Sequence, residues 1–183
     1  MKILLTGFQP FGEDKFNPTE SLALHFGGFS LPVVQKKCFT RWKELYENSL
    51  PDAIVMLGQA GGSSEIRLER IAINLDDYSI PDNEGNLAKE EMIIPSAPAG
   101  YFSTLPLSQI YRILKAEDIP VQYSLSAGTY ICNHLFFQVM HYLTQSEKKI
   151  PAGFIHVPPS MEFKILSRMI ELIQSLLEDF VKR

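Results

Sequence analysis

Residues 121–144 read VQYSLSAGTYICNHLFFQVMHYLT, and their reading decides the fold. The first six form a strand-like run, and Ala127-Gly128-Thr129 lets the backbone swing sharply. From 132 to 144 the apolar residues Leu135, Phe136, Val139, Met140 and Leu143 then recur at helical spacing. A strand that turns directly into a helix is the repeating unit of α/β architecture.

The same alternation extends in both directions. Residues 2–8 read as a buried strand, after which Asn17-Pro18-Thr19-Glu20 supplies an N-cap, a proline at the first helical position and an acid in the first turn. The helix they open stops near Gly27-Gly28. Residues 33–39 read as a strand, 42–50 as a short helical stretch, 52–57 (DAIVML) as an apolar strand closed by Gly58, and 69–75 (ERIAINL) as an alternating strand that begins at an acid. Prolines 81, 95 and 98 and glycines 85 and 100 make 78–101 mainly loop, and a loop of that length is often functional. A helix is expected over 107–117, a strand over 152–157 (AGFIHV) and a closing helix over 160–182. The order predicts a three-layer α/β/α sandwich around a twisted, mainly parallel (mixed) sheet, with one domain spanning 1–183.

Composition narrows the function. With 183 residues, 45% hydrophobic and 21% charged, the chain has the makeup of one globular domain with a sizeable core. A net charge of −4 gives no electrostatic reason to expect nucleic acid or an anionic membrane as partner, and the pairs Lys36-Lys37 and Lys148-Lys149 read as solvated surface. The opening MKILLTGF is interrupted too soon by Gly7 and Pro10 to be a signal peptide or membrane span, so a cytoplasmic protein is expected. Cys38 and Cys132 are then expected to be free thiols.

In open α/β sheets, ligands sit beyond the carboxyl ends of the strands. Three unusual endings fall there: Gly58-Gln59-Ala60-Gly61-Gly62 after DAIVML, the Ala127–Cys132 turn, and His156 at the end of AGFIHV. Cysteine ordinarily packs as a small hydrophobe, and Cys38 in its strand-like run keeps that reading. Cys132 instead opens a helix, where the dipole and unpaired backbone N–H groups favour a thiolate and an oxyanion alike.

A cysteine nucleophile needs a base and a group to orient it. His25, His134 and His141 lie on helices; His134 competes as base, but residues two apart on a helix do not face each other. His156 ends a strand ahead of Val157-Pro158-Pro159 and is better placed. The acids Glu65, Glu69, Asp76, Asp77, Asp82 and Glu84 all compete as orienting group, with position favouring Glu69 slightly. The acids between 76 and 84 have no paired His or Cys ligands beside them, so no metal site is expected. The residues thus reach a Cys/His/acid hydrolase without a substrate.

Six segments, in order, resemble one family: LLTGFQPFG with NPTE at 4–20, GQAGG at 58–62, ERIAINLDD at 69–77, IPDNEGN at 80–86, SAGTYICNHLF at 126–136 and GFIHVP at 153–158. Together they are similar to the pyroglutamyl peptidase I (pyrrolidone-carboxylate peptidase) family of cysteine peptidases, which remove an N-terminal 5-oxoproline from peptides. The resemblance implies Cys132 as nucleophile, His156 as base and later acid, and Glu69 as the residue that orients the imidazole. It implies a lactam pocket in which Phe8 and Phe11 grip the ring faces and Asn17, Gln59 and Tyr130 lie near its polar edge. The backbone N–H groups of Ile131 and Cys132 would then hold the oxyanion, with Tyr130 the alternative to Ile131. No cofactor is implied, the partners are pyroglutamyl peptides, and a homo-oligomer, dimer or tetramer, is expected.

The chain departs from the family pattern at Ser79, where an arginine is usual, at Leu68, where proline is common, and at Tyr130, which replaces phenylalanine. Arg67 and Arg70 are the candidates to replace the missing charge. The segments between Cys38 and Pro51 and after Pro158 are shorter than the family norm. A relative that binds lactams without hydrolysis, and a cysteine hydrolase for another small amide, are the competing readings at this level.

Overall fold

The computed structural model describes residues 1–147 and 149–182, so Lys148 of the second basic pair lies outside the described residues. Six strands form a central sheet in the order β2-β1-β3-β8-β4-β7: β1 (Ile3–Phe8), β2 (Phe29–Leu31), β3 (Ala53–Gln59), β4 (Ile66–Glu69), β7 (Val121–Ser124) and β8 (Ala152–Val157). The strands β2, β1, β3 and β8 run parallel, β4 runs antiparallel to β8, and β7 is parallel to β4, so the expected mixed sheet is present. A short antiparallel pair, β5 (Ile71–Ile73) with β6 (Gly100–Phe102), stands beside it.

Strand side chains alternate between faces, and both faces of the sheet are covered. Leu4, Ile54, Met56 and Phe154 point into a core formed with α2 (Gln35–Ser49) and α4 (Ile131–Thr144). Leu5, Val55, Leu57, Ile155 and Val157 point the other way, against α1 (Pro18–His25), α3 (Leu107–Ala116) and α5 (Phe163–Val181). Strands that read as continuous apolar runs are therefore buried on two sides. Among the described residues no helix is long and apolar enough to cross a membrane.

Two sequence expectations are corrected. Residues 33–39 are not a strand: the helix α2 starts at Gln35, and the buried residues Cys38, Trp42, Leu45 and Tyr46 follow helical spacing that overrides the local alternation. The second concerns 69–75, where Glu69 ends β4 instead of opening a strand, and β5 follows after Arg70. The long loop over 78–101 is pinned midway by an isolated antiparallel bridge between Glu91 and Asp76 and ends where β6 begins.

Candidate active site

Cys132 is the second residue of α4, and the chain reaches it through a backbone that only this turn permits. Gly128 sits at φ +79, in the left-handed region that glycine occupies without strain. Tyr130 then enters the helix with extended backbone and no side-chain cap. The first hydrogen bond into the turn is His134 N–H to the Tyr130 carbonyl, 3.0 Å. The N–H groups of Ile131 and Cys132 have no partner among the described residues and lie at the positive end of the helix. Beneath the thiol is Gly58 of β3: a methyl group there would lie 2.9 Å from Cys132 Sγ and 2.7 Å from the Phe154 ring. The missing side chain of Gly58 is what lets the sulfur rest against the sheet.

The neighbouring strand presents the imidazole. Gly58 and His156 are register partners on β3 and β8, and His156 and Arg67 are partners on β8 and β4. Glu69 pairs with Phe154, two residues before His156, so its side chain reaches the ring diagonally on the same face of the sheet. His156 Nδ1 donates to Glu69 Oε1 at 2.8 Å, and the Cys132 thiol acts electrostatically on the same ring. Glu69 is fully buried, and its Oε2 has no partner among the described residues, so its hydrogen bonding goes to the imidazole. Burial by itself would push the His156 pKa down. The hydrogen bonds and charges of Cys132 and Glu69 outweigh it and raise the pKa to about 9.

Next to the thiol lies a narrow pocket lined by Phe8, Phe11, Asn17, Val33, Gln59, Tyr130, Ile131 and Cys132. All five residues expected to bind a ring are therefore assembled, but their polar groups are used unequally. Asn17 Oδ1 accepts from Thr19 N–H at 3.0 Å as the cap of α1, and its Nδ2 donates to the Gln9 carbonyl. Gln59 Nε2 donates to Asp14 at 2.9 Å, while its Oε1 is buried with no partner among the described residues. The Tyr130 hydroxyl donates to the Pro81 carbonyl at 3.0 Å, tying the turn before Cys132 to the long loop. Burial, with the charges of Asp82 and Cys132, pushes that phenol up to about 12, so it stays a donor.

The competing candidates are drawn elsewhere. His134 is buried on the other side of α4, where Nδ1 donates to Asp76 at 2.6 Å and Gln138 holds Nε2. Asp77 faces Lys89 and Glu84 pairs with Lys37. Asp82 caps α2 by accepting Gln35 N–H at 2.9 Å and closes its own turn with Glu84 and Asn86. Cys38 is fully buried in α2, and burial pushes its thiol pKa up, which leaves it inert. Arg70 stacks on Tyr123, which in turn stacks on Tyr111 of α3, so it lies over the face of the sheet opposite His156.

The sequence did not single out Asn133, and Asp76, a competitor there as orienting acid, has a different task. Asn133, beside the nucleophile, accepts from Ile73 N–H at 3.0 Å and donates to the Ile73 and Leu75 carbonyls, clamping α4 to β5. Asp76, through His134 and Gln35, ties α4 to α2. The CNH run carried this signal, since two polar residues facing inward on an otherwise apolar helix require buried partners.

Known proteins share this fold across most of the chain. The family model described as pyroglutamyl peptidase matches residues 1–170. A pyrrolidone-carboxylate peptidase of Bacillus cereus (strain Q1) is 40% identical, covering 93% of this chain and 89% of that one. Among solved structures, pyrrolidone carboxyl peptidase from Thermococcus litoralis superposes with a TM-score of 0.96 at 36% identity, covering 100% of this chain and 96% of that one. Pyroglutamyl peptidase I of Bacillus amyloliquefaciens gives 0.91 at 35% identity, covering 94% and 95%. A peptidase fold matched over nearly its full length leads to one assignment: this chain belongs to the pyroglutamyl peptidase family.

Proposed function

We propose that this chain is a single-domain cysteine exopeptidase that hydrolyses the amide bond after an N-terminal pyroglutamyl residue, with Cys132, His156 and Glu69 as its triad. The observation that supports this reading best is that Cys132 lines a pocket with Phe8 and Phe11 and rests on Gly58, the register partner of a histidine held by buried Glu69. A five-membered lactam has two apolar faces, one N–H and one C=O. Aromatic walls suit the faces, and the unpartnered Gln59 Oε1 suits the N–H.

In this reading the Cys132 thiol gives its proton to His156 Nε2, and the sulfur attacks the pyroglutamyl carbonyl carbon. The oxyanion that forms is held by the N–H groups of Ile131 and Cys132. As the C–N bond breaks, the imidazolium returns its proton to the departing amine. Water, deprotonated by the same ring, then attacks the thioester, releasing 5-oxoproline and regenerating the thiol. Glu69 keeps Nδ1–H pointed away from the sulfur and stabilises the imidazolium.

Peptides with a blocked N-terminal pyroglutamate are the partners in this proposal, with a cytoplasmic setting and self-association as its accompanying expectations. Turnover of a fluorogenic pyroglutamyl amide is the test. The wild-type chain is expected to release the fluorophore and Cys132→Ser to abolish release; no turnover by the wild type, or turnover that survives Cys132→Ser, would falsify the assignment.

A further inference from the structure

The order of strands lays out the substrate. On the proposed reading, on which this inference rests, the lactam sits between Phe8 at the end of β1 and Gln59 at the end of β3. The scissile carbonyl then lies at Cys132 above Gly58 of β3, and the leaving amine lies at His156 of β8. The next strand in the sheet is β4, and the residue in register with His156 is Arg67. Cross-strand partners project from the same face of a sheet. The guanidinium therefore stands one strand beyond the proton donor, on the side of the thiol away from the ring pocket.

Arg67 is half-buried, and its Nε donates to Ser63 Oγ at 3.3 Å. Among the described residues it forms no ion pair, although Glu65 lies only two residues away. Its terminal nitrogens are thus left with their fork of donors for a partner from outside. On β7, the register partner of Arg67 is the exposed Gln122, so the path beyond it is polar and leads to solvent. A guanidinium matches a carboxylate in charge and in bidentate geometry.

We propose that Arg67 is a specificity-determining residue on the leaving-group side, recognising a carboxylate in the residue released after pyroglutamate. That carboxylate is either the free α-carboxylate of a dipeptide substrate or the side chain of an Asp or Glu following the pyroglutamyl group.

The test compares kcat/KM within matched pairs, in low salt, for the wild type, Arg67→Gln and Arg67→Glu. One pair is pyroglutamyl-alanine and its C-terminal amide; the other is pyroglutamyl-glutamic acid α-amide and pyroglutamyl-glutamine α-amide. The readout is the acid-to-neutral ratio within each enzyme, so losses of folding or chemistry common to both members cancel. The wild type is expected to favour the acid by roughly fivefold or more in at least one pair, a half-exposed charge pair being worth about that factor. Arg67→Gln should bring that ratio near unity, Arg67→Glu should invert it, and the pair that responds identifies the source of the carboxylate. Equal use of acid and neutral substrates by a wild type that turns over the fluorogenic amide, or a preference unchanged by Arg67→Gln, overturns this inference alone. Absence of turnover on every substrate, the fluorogenic amide included, overturns the proposed function and this inference with it.

Discussion

Gly58→Ala tests the claim that the thiol is positioned by an absent side chain. The added methyl would lie 2.9 Å from Cys132 Sγ and 2.7 and 2.8 Å from two carbons of the Phe154 ring, where ordinary contacts begin at 3.4 Å. Phe154 has no room to yield, because it is fully buried and packs against Phe8, Phe136 and His156 at centroid distances of 6.4, 5.8 and 4.9 Å. Movement of about 0.5–1 Å must therefore pass to the sulfur, to the imidazole, or to both. Misplacement on that scale costs roughly 10²-fold in rate, equivalent to about 2.7 kcal/mol of transition-state stabilisation. Overpacking should also lower stability by about 1–3 kcal/mol, or roughly 2–4 °C in Tm for each kcal/mol. The assay is kcat/KM on a fluorogenic pyroglutamyl amide together with a thermal melt. Gly61→Ala is the control: a methyl there meets nothing within 4 Å, so both quantities should match the wild type. If Gly58→Ala stays within about threefold of the wild-type rate and melts normally, the reasoning about close approach is wrong.

Other perturbations follow from the same geometry. The His156 pKa in the folded chain, about 9, lies above its ordinary 6.5, so its protonation adds stability that is complete below 6.5 and fades as pH rises through about 9. Glu69→Gln removes one of the groups that raise it, and the alkaline fall in Tm should begin at lower pH; superimposable Tm–pH profiles would contradict this. Asn133→Ala strands the half-buried Ile73 N–H and the Ile73 and Leu75 carbonyls, and should cost about 2 kcal/mol by denaturant titration; a loss under about 0.5 kcal/mol would mean that these bonds do not hold α4 to β5. Tyr130→Phe deletes only the bond to the Pro81 carbonyl, for a loss of about 1 kcal/mol in stability. Its KM for pyroglutamyl amides should change less than about threefold, because the hydroxyl is directed at the loop; a larger rise in KM would mean that it contacts substrate.

Much of the fold was legible because its signals are local. The strand-turn-helix of 121–144, the apolar DAIVML and AGFIHV runs and the N-cap at Asn17 each carry periodicity or capping chemistry within a few residues. The start of α2 was not legible, since no side chain of its own caps it and the carboxylate of Asp82, 47 residues away, holds its first N–H. Glu69 was singled out from six acids by position and family resemblance, yet its place at the end of β4 follows from pairing with β8.

The sequence by itself determined that a cysteine opens a helix after a flexible turn, that a histidine ends a buried strand, and that aromatic residues follow the first strand. Backbone propensity and hydrophobic period, which act between near neighbours, are enough for that. Only the tertiary structure decided that Gly58 and Cys132 touch, that Glu69 meets His156 while Asp76 meets His134, and that Arg67 rather than Arg70 shares the face of the triad. Those outcomes depend on strand order and register, which bring together residues up to 87 positions apart. A slip of one residue in β4 would turn Glu69 and Arg67 to the opposite face.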